Sequence, residues 1–294
     1  MQTKHQIQQL LAIAAIQPNK RFGQNFLIDL NIMRFIIDSA AITKNDVILE
    51  VGPGTGSLTE GLAEHAGKVI TVEIDKKIAK IAQKQLASLE NVEFINDDIL
   101  HKKSSINPDV IQAVKKACGN FEGRFMLVAN LPYAIASPLM INLVTGKLFV
   151  ESMHVTIQKE VAERMTAEPD SKHYGTLSII LNATGDIEII KILKPTLFWP
   201  APKVDSAIVT YRRNSEKVNL IRDMSILSEI INLFMQHRRK MMKASTKFAT
   251  GKLENITDWS EIFSKCQIEP TKRPGEITPS QYVKLANLCC DYLV

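Results

Sequence analysis

The sequence predicts an α/β protein with a doubly wound, mostly parallel sheet, followed by a small all-helical region. From about residue 30, apolar runs of strand length alternate with amphipathic segments of helical period. Strand-like runs stop near residue 213, and the segments beyond it have helical periodicity. A chain of 294 residues accommodates one large and one small domain. We therefore predict domains at residues 1–213 and 214–294.

Five buried strands account for most of the predicted sheet. They are VILEV (47–51), KVITVEID, NVEFIND, RFMLVAN (124–130) and MHVTIQKE. The intervening helices are NIMRFIIDSA, which Asp29 can cap, then LTEGLAEH, KKIAKIAQKQLASL, a helix near 108–118 and PLMINLVTGKL. Right-handed crossovers between such strands produce a parallel sheet. Two later runs, IEIIKILKP and VDSAIVTYRR, are expected to pair as an antiparallel hairpin at its edge.

The predicted helical region carries the net positive charge of the chain. Residues 1–210 contain 22 Lys or Arg and 22 Asp or Glu, whereas residues 211–294 contain 14 and 9. Its expected helices are MSILSEIINLFMQHRRKMMKAS and SQYVKLANLCCDYL. A basic region on a neutral chain indicates a polyanionic partner, although a solvated basic surface has the same composition.

The cysteines and the apolar N-terminal run argue against a metal-binding, membrane-spanning or secreted protein. Cys118, Cys266, Cys289 and Cys290 form no C-x-x-C pair and have no histidine cluster beside them, so we expect reduced cytosolic thiols. The run LLAIAAI (10–16) is too short to span a membrane, and we interpret it as an amphipathic helix rather than a signal-peptide core. We expect a cytoplasmic monomer that binds neither metal nor membrane.

A glycine-rich turn, EVGPGTG (50–56), joins the first strand to the following helix. Glycines allow the backbone to approach a ligand closely. The dinucleotide fingerprint requires Gly or Ala where this chain has Ser57, so another nucleoside is favoured, with NAD and a purely structural turn as alternatives. Glu73 ends the second strand, where an acid accepts ribose hydroxyls; a surface acid beside Asp75 is the alternative.

An acidic pair, Asp97 and Asp98, follows the third strand. One of the two carboxylates is positioned to meet an adenine amino group, while a helix-capping turn is the alternative. The spacing after the glycine-rich turn favours a binding role for one of them.

The turn Asn130-Leu131-Pro132-Tyr133 follows the fourth strand, at the sheet edge where open parallel sheets bind ligands. An adenine amine is a poor nucleophile because its lone pair is delocalised into the ring. An Asn side-chain oxygen and a backbone carbonyl can accept its N–H groups and aim the lone pair at a methyl group. Proline stiffens the turn, and Tyr133 can stack on the base. The turn resembles the (N/D)-P-P-(Y/F/W) signature of amino-methyltransferases, with Leu131 in one Pro position, and this resemblance implies amine methylation. A structural turn with a core tyrosine is the alternative.

Together these motifs resemble those of the ribosomal RNA small-subunit adenine dimethyltransferase family. EVGPGTG is similar to the first motif of class I methyltransferases, and NLPY is similar to the (N/D)-P-P-(Y/F/W) signature of amino-methyltransferases. The resemblance covers nearly the whole chain. Its further segments are GQNFL (23–27), QKEVA (158–162), YGTLS (174–178), FWPAPKVDS (198–206) and RRK (238–240).

The resemblance implies a Rossmann-like, seven-stranded class I methyltransferase domain that uses S-adenosylmethionine. The implied reaction is dimethylation of N6 of two adjacent adenosines near the 3′ end of 16S ribosomal RNA, in small-subunit biogenesis. The implied partner is that RNA or the small ribosomal subunit. The implied cofactor-binding residues are Asn25, Leu27, Gly52, Gly54, Glu73, Asp98 and Asn130.

The resemblance also implies catalytic and RNA-binding residues. The catalytic set is Asn130, Leu131, Pro132, Tyr133 and Phe198, with Phe198 facing Tyr133 across a flipped adenine. Arg238, Arg239 and Lys240 are expected to contact phosphates. Asp97 departs from the family's usual Gly or small polar residue, and the role of Trp199 is left open.

Two other functions remain as alternatives at this point. One is a large-subunit adenine methyltransferase of the macrolide-resistance type, which shares the glycine-rich and NLPY motifs. FWPAPKVDS and HRRK favour the small-subunit enzyme over it. The other is a non-catalytic RNA-binding assembly factor, against which the intact cofactor and NLPY motifs argue.

Overall fold

The computed structural model describes residues 1–19 and 23–293 and divides the chain into two compact units. The first comprises Met1–Ala162 and Glu188–Arg212, and the second comprises Glu163–Ile187 and Arg213–Val294. The segment 163–187, which the sequence analysis places in the first domain, thus belongs to the second unit. The helix Thr176–Thr184 in this segment buries seven of its nine residues, as a helix packed among other helices does.

The elements are numbered in chain order, and those of the first unit come first. Its helices are α1 (Lys4–Ile13), α2 (Leu30–Ala40), α3 (Ser57–His65), α4 (Lys76–Leu86), α5 (Pro108–Cys118) and α6 (Ala136–Thr145). Its strands are β1 (Phe26–Leu27), β2 (Val47–Val51), β3 (Lys68–Val72), β4 (Val92–Ile95), β5 (Leu100–Lys102), β6 (Ser105–Ile106), β7 (Phe125–Asn130) and β8 (Ser152–Gln158). Three later elements lie partly in this unit: α7 (Lys159–Met165), β9 (Gly185–Leu193) and β11 (Ser206–Arg213). A 3₁₀ turn at Pro195–Leu197 and β10 (Phe198–Trp199) lie wholly in it.

A seven-stranded sheet in the order β4-β3-β2-β7-β8-β11-β9 forms the centre of the fold. Strands β4, β3, β2, β7 and β8 are parallel, and β11 runs antiparallel to β8. The predicted mostly parallel, Rossmann-like sheet is therefore confirmed, and β9 and β11 are neighbours at its edge as expected. Two short pairs, β1 with β10 and β5 with β6, were not predicted.

Local sequence explains why the predicted elements form where they do. Helix α2 begins after Asp29, whose Oδ1 accepts the N–H groups of Asn31 and Ile32. Asp75 caps α4 in the same way. All five residues of β2 are buried because helices cover both faces of a parallel sheet.

The second unit is helical. Its helices are α8 (Thr176–Thr184), α9 (Ser215–Asn219), α10 (Met224–Gln236), α11 (Met242–Ser245), α12 (Trp259–Lys265) and α13 (Pro279–Asp291), with 3₁₀ turns at Thr246–Phe248, Gly251–Asn255 and Pro274–Glu276. Helices α8, α10 and α13 pack together. The core aromatic residue Tyr282 is fully buried and donates its hydroxyl to the carbonyl of Pro274.

The sequence predicts one continuous helix across residues 224–245, and this prediction is wrong because two separate helices form there. Helix α10 ends at Gln236, and the chain turns at residues 237–240 before α11 begins. The backbone N–H of Met242 donates to the carbonyl of Lys272 at 2.8 Å. This long-range bond holds the start of α11, and no local pattern in the sequence indicates it. In the described part of the chain, no helix is long and apolar enough to cross a membrane.

Candidate active site

A cleft of about 1240 Å³, including solvent at its mouth, lies at the carboxyl edge of the sheet in the first unit. The ends of β2, β3 and β7 and the segment around β1 form its walls. The structure brings ten of the predicted site residues into this cleft: Asn25, Leu27, Gly52, Gly54, Glu73, Asp98, Asn130, Leu131, Pro132 and Tyr133.

The glycine-rich turn requires its glycines for two physical reasons. Gly52 and Gly54 have φ angles of +75° and +59°, in the left-handed region that side chains disfavour. A Cβ on Gly52 would also lie 3.1 Å from Cγ of Pro132, and one on Gly54 would lie 2.8 Å from the Phe26 ring. Gly52 therefore permits the NLPY turn to pack directly against the glycine-rich turn.

Glu73 lies at the end of β3 with only 6% of its surface exposed. Burial raises the pKa of its carboxyl to about 7, although backbone N–H groups, that of Asp75 first, stabilise the charged form. Its Oε1 accepts the Asp75 N–H at 2.9 Å. A carboxylate fixed in this way at the second strand can accept the hydroxyls of a bound ribose.

Glu50 is a second buried carboxyl on the cleft wall, and the sequence analysis assigned it no separate role. It is 1% exposed, and its Oε2 accepts hydroxyl hydrogens from Thr59 at 2.6 Å and Thr71 at 3.0 Å. Burial raises its pKa to about 7. The signal that could have identified it is an acid inside the otherwise apolar strand VILEV.

The two aspartates after β4 have different partners. The Asp97 carboxylate accepts the Asn107 side-chain amide through Oδ2 at 3.0 Å and the Asp98 N–H through Oδ1 at 2.7 Å. Both of its oxygens therefore hold the turn together. Asp98 uses Oδ1 to accept the Leu100 N–H at 2.9 Å. Its other oxygen is the better candidate acceptor for an adenine amino group.

The NLPY turn is held from three sides. The Asn130 side-chain nitrogen donates to the backbone carbonyl of Asn25 at 3.0 Å, so its Oδ1 is oriented as an acceptor. Leu131 is buried, and its N–H donates to the Thr156 carbonyl of β8 at 3.0 Å. The half-buried Tyr133 hydroxyl lies 2.8 Å from Oγ of Ser206 on β11. These contacts fix the amide and the ring before any ligand binds.

Phe198 is not among the residues that line the cleft, and its place opposite Tyr133 across a flipped adenine stays a prediction. It is 2% exposed and lies in the core beside Leu27, its partner in the β1–β10 pair. Pairing of the two short strands turns the ring inward, which local sequence could not show. The neighbouring Trp199 stacks on Phe26, with ring centroids 6.3 Å apart, and so supports a residue of the cleft.

The N-terminal helix contributes to the site, and the sequence analysis missed this role. Ile7 of α1 lines the cleft. The Gln2 backbone N–H donates to Oγ of Ser57 at 2.7 Å, and its side-chain amide exchanges hydrogen bonds with Thr55 at 3.1 and 2.7 Å. These bonds attach the N-terminal segment to the glycine-rich turn.

Arg238, Arg239 and Lys240 lie in the second unit, in the turn after α10, and all three are exposed. Among the described residues, none has an acidic partner within 4.0 Å. Within the same part of the chain, no group of three or more His, Cys, Asp or Glu is arranged to hold a metal ion.

Sequence comparison identifies the family to which this site belongs. The sequence profile described as "Ribosomal RNA adenine dimethylase" matches residues 15–288. The chain belongs to this family. Among its relatives, a protein of Streptococcus uberis named Ribosomal RNA small subunit methyltransferase A is 37% identical over 91% of this chain and 90% of its own length. One of the same name from Oceanobacillus iheyensis is 35% identical over 93% and 90%.

Solved structures share the fold of this dimethylase at lower identity. A dimethyladenosine transferase from Plasmodium falciparum matches with a TM-score of 0.69 at 23% identity, covering 91% of this chain and 98% of the other. The 23S rRNA methyltransferase ErmE matches with a TM-score of 0.60 at 24% identity, covering 90% and 98%. The family membership makes the protein an S-adenosylmethionine-dependent ribosomal RNA adenine dimethyltransferase.

Proposed function

We propose that the chain transfers two methyl groups to N6 of each of two adjacent adenosines near the 3′ end of small-subunit ribosomal RNA. The observation that carries the proposal is the Asn130 amide, whose nitrogen is occupied by the Asn25 carbonyl. Its Oδ1 is thereby fixed as an acceptor at the cleft. Small-subunit action rests on the relatives' name, and the cytoplasm is the expected location because their substrate is ribosomal RNA.

The residues of the cleft fit S-adenosylmethionine. The fit rests on the buried acceptor Glu73 at the second strand and the backbone of Gly52 and Gly54, which no side chain obstructs. Asp98 supplies an acceptor for the adenine amino group. The bound cofactor would supply an electrophilic methyl group.

The chain's own residues act on the target amine by positioning it. In the first transfer, Oδ1 of Asn130 and a backbone carbonyl of the turn accept the two N–H groups, which draws the nitrogen toward a tetrahedral geometry. In the second transfer they hold the one remaining N–H, and the proton released from the nitrogen in each transfer leaves to solvent. Tyr133 supports one face of the base, and its ring is oriented by Ser206. Holding two reactants in line supplies much of the rate enhancement without a strong general base. The opposite face is unassigned, because Phe198 is buried in the core.

Assaying two substrates separates this function from its closest rival. The protein is incubated with labelled cofactor and either undermethylated small subunits or naked large-subunit RNA. We expect incorporation into the small subunits. Incorporation only into large-subunit RNA would overturn the proposal in favour of the rival enzyme, and incorporation into neither would favour a non-catalytic assembly factor. The Asn130→Ala variant, which keeps the glycine-rich turn, serves as the inactive control.

A further inference from the structure

A partly exposed aromatic pair lies in the most basic stretch of the second unit. Residues 237–252 contain six Lys or Arg and no Asp or Glu. Within them the rings of His237 and Phe248 stack with centroids 4.0 Å apart and 22° between their planes. The Lys240 Nζ lies 5.3 Å from the Phe248 ring centroid, and 43% of the Phe248 side chain is exposed.

Backbone hydrogen bonds hold this pair in place. The turn after α10 is closed by the Lys240 N–H, which donates to the His237 carbonyl at 2.8 Å. Phe248 ends the 3₁₀ turn that follows α11. The N–H of Lys243 donates to the carbonyl of Pro270 at 3.0 Å, next to the Met242–Lys272 bond. The pair is therefore preorganised, and a ligand that binds there does not have to order it.

The cations around the pair lack acidic partners. Arg238, Arg239, Lys243 and Lys247 are exposed, and within the described ranges none has a carboxylate within 4.0 Å. Like charges this close in sequence repel one another, and a polyanion relieves the repulsion. An exposed ring contributes little to core packing, whereas stacked rings beside cations suit a nucleobase next to its phosphate.

We propose that His237 and Phe248 form a stacking site for one unpaired nucleobase of ribosomal RNA. The base takes the place of the Lys240 ammonium over the Phe248 ring, and its flanking phosphates contact that ammonium and the surrounding cations. The inference rests on the proposed action on ribosomal RNA. It adds a contact with a base to the phosphate contacts expected of Arg238, Arg239 and Lys240. Every base has a π face, so the site accepts single-stranded RNA with little preference for sequence. Paired bases are stacked within a helix and do not enter it.

The test compares Phe248→Leu with Phe248→Tyr in the full-length protein. Leucine keeps apolar volume and removes the π face, whereas tyrosine keeps the ring. Binding is measured across a salt series with a fluorescein-labelled single-stranded oligoribonucleotide of about 12 nucleotides and with its duplex. We expect F248L to bind the single strand about tenfold more weakly with an unchanged salt slope. F248Y should bind like the wild type, and the duplex should not distinguish the variants.

A second variant and an activity measurement distinguish failure of the stacking inference from failure of the proposed function. His237→Ala should weaken single-strand binding in the same way, and thermal melting establishes that each variant is folded. Wild-type affinity for the single strand in both folded variants overturns the stacking site, as does equal weakening for single strand and duplex. Methyl incorporation into small subunits is measured in parallel. If the wild type methylates them while F248L binds normally, only the stacking inference fails; if stacking is detected without methylation, only the proposed function fails.

Discussion

The Tyr133 hydroxyl and the Ser206 hydroxyl lie 2.8 Å apart, joining the NLPY turn to β11. Ser206 is fully buried, so the bond is shielded from water and fixes the ring that is to support the target base. The bond also gives a physical role to Ser206, the last residue of FWPAPKVDS. It positions the ring without contacting the amine.

Replacing Ser206 with alanine should reduce turnover more than it reduces cofactor affinity. Loss of one neutral hydrogen bond corresponds to ~1 kcal/mol, or about fivefold in kcat/KM for RNA. Tyr133→Phe should give a similar loss, and the double variant should lose little more because both changes remove the same bond. Fully additive losses in steady-state kinetics would show that the two hydroxyls act independently.

Asn130→Ala should abolish methyl transfer while cofactor binding largely survives. The amide oxygen that is to accept the target N–H is removed, and misplacement of the reacting nitrogen costs roughly 10²-fold in rate. Cofactor affinity is measured by calorimetry and turnover by methyl incorporation. Unchanged turnover in a folded Asn130→Ala protein would contradict the amine-orienting role.

Cofactor affinity should fall as the pH is lowered from 8 to 6. Burial raises the pKa of Glu73 to about 7, so the unliganded carboxyl takes up a proton over this range. A ribose diol donates to the ionised form, and protonation therefore competes with binding. The dissociation constant should rise by about tenfold between pH 8 and pH 6.

Two glutamine variants test whether Glu73 is the group that causes this pH dependence of cofactor affinity. Glu73→Gln should bind weakly with a nearly flat profile, whereas Glu50→Gln should keep the wild-type slope. A flat profile for the wild type, or one that survives in Glu73→Gln, would exclude Glu73 as the titrating group.

Gly52→Ala should destabilise the first unit and impair methylation together. The added Cβ would meet Pro132 at 3.1 Å, and the φ angle of +75° is strained for alanine. We expect a loss of about 2 kcal/mol in unfolding free energy. Gly275→Ala is the matched control, because a Cβ there meets nothing within 4 Å. Equal stability of the two variants in denaturant titrations would contradict the close contact between the turns.

Replacing Arg238, Arg239 and Lys240 with glutamine should weaken RNA binding and flatten its salt dependence. Each lost phosphate contact lowers the salt slope by roughly 1. The control is Lys265→Gln, since Lys265 is already paired with Glu261 at 2.6 Å. An unaltered salt slope in the triple variant would show that the triplet is an ordinary solvated surface.

Local patterns predicted the sheet and the helices around it. The fully buried β2 and the Asp29-capped α2 are where the sequence placed them because burial and capping are properties of short segments. Pairing between distant segments was not predictable in this way. The β1–β10 pair turns Phe198 into the core, and the Met242–Lys272 bond holds the start of α11 after the basic triplet. Both depend on residues far apart in the chain.

The sequence likewise predicted one part of the site and not the other. The glycine-rich turn, Glu73 and the NLPY turn follow strand ends, so their meeting at one sheet edge follows from topology. The attachment of Gln2 to Thr55 and the placement of Tyr133 by Ser206 were not predictable, because single polar residues have no periodic signal. The choice between Asp97 and Asp98 likewise depends on Asn107, which lies ten positions further along.

The central claim is that this chain dimethylates N6 of adenosine in small-subunit ribosomal RNA. The most direct measurement digests the RNA of undermethylated small subunits to nucleosides after incubation with the protein and S-adenosylmethionine. The expected product is N6,N6-dimethyladenosine at two adjacent positions near the 3′ end, and Asn130→Ala should form none. Failure to form any dimethyladenosine in small-subunit RNA, with the protein folded and cofactor bound, would contradict the account.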